Sequence, residues 1–363
     1  MTHPSFILLV LLAASCALSA EAAGTPRSKR KPAAERQAAQ LAQAGPAYAK
    51  RPDAMLAADD MAERRDLDRE WVRQAIAHAR YLPQVVKLIL PPPRGSAKNW
   101  HAYRSRFIEP VRIKAGVEFW RRHHDTLAQA ERETGVPAGI IVGIIGVETI
   151  FGRQMGRFRV IDALATLAFD FPASHPQAIE RGAFFRSELE QFLSLTQRTG
   201  VDPSAPLGSY AGAMGMPQFM PSSWSKYAVD YDGDSKIDLF NSAADAIGSV
   251  ASYFRAFNWQ PGLPTHYRAR FDADKLDLQA LLVNDILPTF SAASMVAKGV
   301  LLDDDALRHS GPMALVELQN GDAAPSYVVG TENFYAITRY NWSSYYAMAV
   351  IELGEAVAQA MKR

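Results

Sequence analysis

The stretch GVPAGIIVGIIGVETIFG, residues 135–152, constrains this chain more than any other. Ile140, Ile141, Val142, Ile144, Ile145 and Val147 fall on every side of a helix, so no face is left for water. Such a helix is stable only inside a larger helical assembly. Pro137 suits its first turn, and Gly152 suits a left-handed stop. It carries one acid, Glu148, near its C-terminal end. A buried carboxylate is costly unless paired or neutral. Burial raises its pKa and holds it protonated near neutral pH. A neutral carboxylic acid is what proton donation to a glycosidic oxygen requires. The same segment also fits a Glu exposed at the helix end, or one satisfied by neighbouring backbone.

The chain can supply the surrounding core. Its 363 residues are 48% hydrophobic and 21% charged, enough for one large domain or two to three small ones. Lys+Arg number 39 against 38 Asp+Glu, a balance that argues against a nucleic-acid partner. The one cysteine, Cys16, excludes internal disulfides and a cysteine zinc site.

Residues 1–23 read as a secretory signal. The apolar run Phe6 to Leu12 is too short to span a bilayer and is followed by small residues. Two processing schemes stay open. Cleavage at Ala20-Glu21-Ala22 leaves a soluble exported protein, whereas Ala13-Ala14-Ser15-Cys16 resembles a lipobox that makes Cys16 an outer-membrane lipid anchor. Both place the protein in the periplasm. Residues 24–60, with the basic cluster Arg27 to Lys31, read as a flexible tether.

Residues 61–134 read as a helical N-terminal domain interrupted by the prolines at 91–93. His123 and His124 are helix neighbours that share no face, so they form no joint metal site. Asp162 reads as a helix cap or packing group and Asp170 as a turn residue. The segment GSYAGAMGMPQFMPSSW (208–224) reads as a loop leading into a short helix. It is not a nucleophile elbow, because its Ser stands one position early. Residues 259–327 change character. THYRARF, MALVELQ and PSYVVG favour strands and make a small β-containing subdomain. Residues 328–363 return to helix.

Between Val229 and Asp238 runs an acidic loop. Asp230, Asp232 and Asp234 occupy positions one, three and five of an EF-hand-like loop, with the Lys236 carbonyl at seven. Ser235 replaces the usual Gly at six, and Asn241 stands where a bidentate Glu is expected. A solvated acidic turn fits the same residues.

Five ordered motifs, VGIIGVETIFG, GRFRVIDALATLAFDFP, GSYAGAMGMPQFMPSSW, VDYDGDSKIDLFNSAADAIGSVASYF and NFYAITRYNWSSYYAMAV, resemble the membrane-bound lytic murein transglycosylase B family. The resemblance implies a mainly α fold: a lysozyme-like α+β catalytic core over 135–258, the helical N-terminal region, and the small inserted β-containing subdomain. It implies Glu148 as the only catalytic carboxylate, acting on the β-1,4 MurNAc–GlcNAc bond of peptidoglycan and leaving 1,6-anhydro ends. It also implies sugar contacts from Ser209, Gln218, Tyr253, Asn333, Tyr340 and Tyr346. A structural Ca²⁺ would sit on Asp230, Asp232, Asp234, Lys236 and Asp245, with Asp238 as a spare. Peptidoglycan glycan strands are the implied partner, and wall-synthesis proteins accompany some members. Two other readings are carried: a hydrolysing muramidase, which needs a second acid, and a catalytically silent peptidoglycan-binding module.

Overall fold

The computed structural model describes residues 44–91 and 98–362. The signal, Cys16 and the first part of the tether lie outside the described residues. Among those described are sixteen α-helices and seven short strands. The helices are α1 (Pro52–Arg65), α2 (Arg69–His78), α3 (Pro83–Ile89), α4 (Trp100–Arg104), α5 (Pro110–Arg122), α6 (His124–Thr134), α7 (Ala138–Thr149) and α8 (Val160–Phe169). They continue as α9 (Ala178–Thr199), α10 (Pro221–Tyr227), α11 (Ala243–Ala256), α12 (Leu278–Leu282), α13 (Ala292–Ala297), α14 (Asp304–Leu307), α15 (Glu332–Tyr340) and α16 (Ser344–Met361). The strands are β1 (Phe158–Arg159), β2 (Leu207–Gly208), β3 (His266–Arg268), β4 (Arg270–Phe271), β5 (Val300–Leu301), β6 (Ala314–Asn320) and β7 (Ala323–Gly330).

The described residues form two units, 98–151 with 247–362, and 44–91 with 152–246. In the first, α7 is the central helix, buried along nearly its whole length. It packs on α16, and glycine makes that approach close. A Cβ on Gly143 would lie 2.2 Å from the Val350 carbonyl oxygen, and one on Gly354 would lie 2.1 Å from that of Gly139. Glycine weakens a helix by about 1 kcal/mol relative to alanine, and here the tight backbone contact between two apolar helices offsets it. The inserted subdomain belongs to the same unit. Its antiparallel sheet has the order β3-β7-β6, with Leu315 opposite Val329. Both residues point into a small core with Leu281, Met295, Val300 and Met313.

In the second unit the N-terminal helices are stapled to α8 and α9. Tyr48 Oη and Arg51 Nη1 donate to Asp170 at 2.5 and 2.9 Å. The Arg80 and Leu82 amides donate to buried Asp162 and Thr166. Arg64 and Arg65 both reach Glu190. Asp162 and Asp170 are therefore structural anchors of this unit.

Two expected boundaries change. The tether does not run to residue 60, since α1 begins at Pro52 and buries Ala54, Ala57, Ala58, Met61 and Ala62. A stripe made almost wholly of alanine leaves little apolar signal in sequence, yet it packs closely. The 61–134 block also divides, with residues 61–91 in one unit and 98–134 in the other. The pairings that divide it are polar and more than eighty residues apart in sequence, so no local pattern announces them.

Candidate active site

Glu148 lies in the last turn of α7, 7% exposed. Burial pushes its carboxyl up to about 8. The opposing influence is Tyr346, whose hydroxyl donates to Glu148 Oε1 at 2.6 Å. Tyr346 stands in the first turn of α16, capped by Ser343, and burial next to Glu148 holds its phenol well above the usual range. It therefore stays protonated and serves as a hydrogen-bond donor. Its ring lies parallel to that of Tyr340 at 6.4 Å, and Tyr340 packs tilted against Tyr253 at 4.8 Å. Tyr253 Oη donates to the Arg339 carbonyl at 2.7 Å. The acid thus sits against a chain of three tyrosines from three helices.

The backbone that follows Glu148 is locked. Helix α7 does not run to Gly152. It stops at Thr149, and Ile150, Phe151 and Gly152 take φ of 52°, 56° and 81° in succession. A left-handed β-branched residue costs roughly 1–3 kcal/mol and persists only when its surroundings enforce it. The Phe151 ring supplies that constraint, packed on Phe119 at 5.0 Å and seated over Gly116 and Gly146.

The expected sugar contacts fare differently. Asn333 is fully buried, with Nδ2 bonded to the Gln260 and Leu263 carbonyls and Oδ1 to the Gln260 amide. These bonds tie the start of α15 to the 258–263 turn, and with no exposed surface the residue is a structural clamp and not a sugar contact. The hydroxyls of Tyr253 and Tyr346 are likewise committed to protein groups. Tyr340 is half-buried as a residue, with burial holding its phenol well above the usual range. In the second unit, Ser209 Oγ accepts from the Ala211 and Ala213 amides at 3.2 and 3.0 Å and retains its own hydrogen to donate. Gln218, at a left-handed φ of 53°, donates through Nε2 to the Met155 and Gly215 carbonyls, which leaves Oε1 to accept.

A second buried acid escaped the sequence reading. Glu188 on α9 accepts from the Ser222 amide and hydroxyl at 2.9 and 2.6 Å, capping α10 and anchoring the loop that carries Ser209 and Gln218. Its partner is 34 residues away, so no local pattern marks it.

Also in the second unit, Asp230, Asp232 and Asp245 bring carboxylate oxygens within 4.8 Å of one another. Ser235, standing where an EF-hand has Gly, takes φ 72°, the left-handed turn that position demands. Asp245 is 1% exposed and accepts from the Tyr231 and Asp238 amides, which orients it across the loop. Three convergent hard oxygen ligands fit Ca²⁺ or a similar cation. Asp234 lies outside this group and accepts the Lys236 amide at 2.8 Å, while Asp238 is occupied with the Phe240 and Asn241 amides. Of the four expected carboxylate ligands three converge, while Asp234 turns back on its own backbone.

A mainly helical fold with a buried acid in the last turn of its central apolar helix, bonded to a tyrosine hydroxyl and held neutral by burial, fits a glycan-cleaving enzyme of the lysozyme-like class. Comparison with known proteins narrows the class. The transglycosylase SLT domain family matches residues 50–355. Membrane-bound lytic murein transglycosylase B of Escherichia coli (strain K12) is 40% identical over 326 residues, covering 88% of this chain and 86% of that one. The E. coli lytic transglycosylase Slt35, solved in complex with calcium, is similar with a TM-score of 0.76 and 40% identity, covering 88% of this chain and 97% of that one. The soluble lytic transglycosylase SltB1 of Pseudomonas aeruginosa has a TM-score of 0.77 and 41% identity, covering 86% of this chain and 100% of that one. The chain belongs to the lytic murein transglycosylase B family and is an enzyme of that type.

Proposed function

We propose that this protein is an exported lytic transglycosylase that cleaves the β-1,4 MurNAc–GlcNAc bond of peptidoglycan. The observation that carries this reading is Glu148, buried, protonated below about pH 8 and bonded to Tyr346. Protonated Glu148 donates to the glycosidic oxygen as the bond to C1 breaks. The substrate's 2-acetamido oxygen closes on C1 and shares the positive charge. Glu148, now a carboxylate held by Tyr346, takes the proton from the C6 hydroxyl of the same muramoyl residue. That oxygen displaces the acetamido oxygen at C1 and closes the 1,6-anhydro ring. No water enters, and one residue acts as acid and then as base. Within the first unit, Tyr340 offers a flat apolar face to a sugar; within the second, Ser209 keeps a donor and Gln218 an acceptor for polar groups of a glycan strand.

A muramidase would need a second carboxylate near the first, at about 5–10 Å. Burial and the Tyr346 hydroxyl together account for a Glu148 that can serve first as acid and then as base, which favours the transglycosylase route because that route needs no second carboxylate. Product analysis of digested sacculi tests the choice. Anhydro ends, one water lighter than reducing ends, support it, and reducing muramic ends would sink it.

Tyr346→Phe tests the pairing. Loss of the donor destabilises the carboxylate, so the Glu148 pKa rises further and the alkaline limb of the pH–rate profile moves upward. The rate at neutral pH falls roughly ten- to a hundred-fold, the size of a hydrogen bond to a charged group. An unmoved limb would show that the two residues do not act together.

Asp230, Asp232 and Asp245 would hold a structural Ca²⁺, which screens their mutual repulsion and takes no part in the chemistry. Calcium at a hundred times its Kd adds about 2.7 kcal/mol to the folded state, several degrees in Tm. A melting curve with and without chelator measures the shift, and Asp245→Asn is expected to abolish it. Export rests on residues 1–23, outside the described ones, and among the described residues no helix is long and apolar enough to cross a membrane. The mass of the mature N-terminus decides between removal and lipidation of Cys16.

A further inference from the structure

We propose that Arg339 is a carboxylate receptor beside the catalytic tyrosines, reading an acidic group carried by the muramoyl residue of the glycan strand. The inference rests on the transglycosylase reading above and adds a part of the substrate to it. Arg339 is the last residue of α15 before Tyr340, and its carbonyl accepts the Tyr253 hydroxyl. The guanidinium is thus rooted in the same turn as the ring that packs on Tyr346. Its side chain is half-buried between two aromatic rings, with Cζ 5.4 Å from the Phe257 centroid and 5.8 Å from that of Tyr335. Trp342 packs edge-on to Tyr335 at 5.9 Å and braces that ring.

The polar contacts of this guanidinium are sparse. Nη1 donates to Tyr335 Oη at 3.4 Å, a long bond. Among the described residues, no carboxylate lies within ion-pair distance of it. Arg339 is therefore held in place by ring faces and left with unspent N–H donors in a fixed plane.

That arrangement suits an anion. The aromatic sandwich has already removed much of the side-chain freedom that binding would otherwise cost. Partial burial lowers the local dielectric and strengthens a charge-assisted bond. The planar fork matches a carboxylate in two-point geometry, which a neutral sugar hydroxyl does not. A muramoyl residue offers that group from two sources. Its lactyl arm ends in a free carboxylate when no peptide is attached, and the stem peptide carries carboxylates when one is.

The test uses the full chain with Glu148→Gln, which can bind strands without consuming them. Its affinity is measured for peptide-bearing strands and for amidase-stripped strands, each with carboxyl groups open or blocked as methylamides. Adding Arg339→Met is expected to weaken binding of the open strands roughly ten- to a hundred-fold and to leave the blocked ones nearly unchanged. Arg339→Lys keeps the charge without the fork and is expected to recover part of the loss. Whichever open strand carries the effect identifies the source, lactyl arm or stem. Equal losses on open and blocked strands, with a lowered Tm, would assign Arg339 to packing and overturn the proposal. So would no loss on either. If the unsubstituted protein released no anhydro ends while open strands still bound through Arg339, the transglycosylase reading would fail and this inference would stand.

Discussion

Glu148→Gln is expected to lower the rate of sacculus solubilisation by about 10²–10⁴, the usual contribution of a positioned acid–base group, and to raise stability at the same time. The second effect follows from linkage. The folded-state pKa of about 8 stands above the ordinary 4.5, so between those values the folded state holds a proton that the unfolded chain has released. Stability from this group is complete below about pH 4.5 and is lost as pH rises toward 8. Gln is neutral throughout and still accepts from Tyr346. The Tm gain of the variant should therefore grow across that window and level off above it. Paired melting curves at pH 4 and pH 8 measure this. An equal difference at both would mean that the carboxyl is not held protonated by burial. Retained lysis would remove Glu148 from the mechanism.

Gly143→Val is expected to destabilise the first unit by about 3 kcal/mol or more, at the top of the range for overpacking. The obstacle is backbone, the Val350 carbonyl 2.2 Å from the new Cβ, and a carbonyl in a packed helix cannot swing aside as a side chain can. Gly139→Ala on the same helix is the control. Its Cβ would meet nothing nearer than 3.9 Å, and alanine favours helix over glycine by about 1 kcal/mol. Denaturant midpoints of the pair should move in opposite directions. Similar midpoints would show that α7 and α16 are not in such close contact. Since α16 also carries Tyr346, the Gly143 variant should lose activity in step with its packing.

Much of this is legible in the sequence. An apolar helix with no polar face could only be a central one, and α7 is. The strand-favouring segments THYRARF, MALVELQ and PSYVVG do supply a sheet, β3, β7 and β6. Both signals are local, spread over consecutive residues, and so survive in a single sequence. The acid was legible for the same reason, because a charge in such a helix stands out from its neighbours.

The partners of that acid were not legible. Tyr346 is 198 residues from Glu148, and its sequence surroundings do not separate a sugar-facing ring from one bonded to a carboxylate. Asn333 is the opposite case: the family resemblance implies a sugar contact, and packing places the residue wholly inside. Alternating acids announced a cation loop, yet the chain path selected Asp245 over Asp234, a choice made by two amide donors seven and fourteen residues away. What local pattern determines is which segments must be buried and which chemical groups they carry inward. Which of those groups meet is a matter of contacts between distant helices, where close packing and hydrogen-bond geometry admit one arrangement.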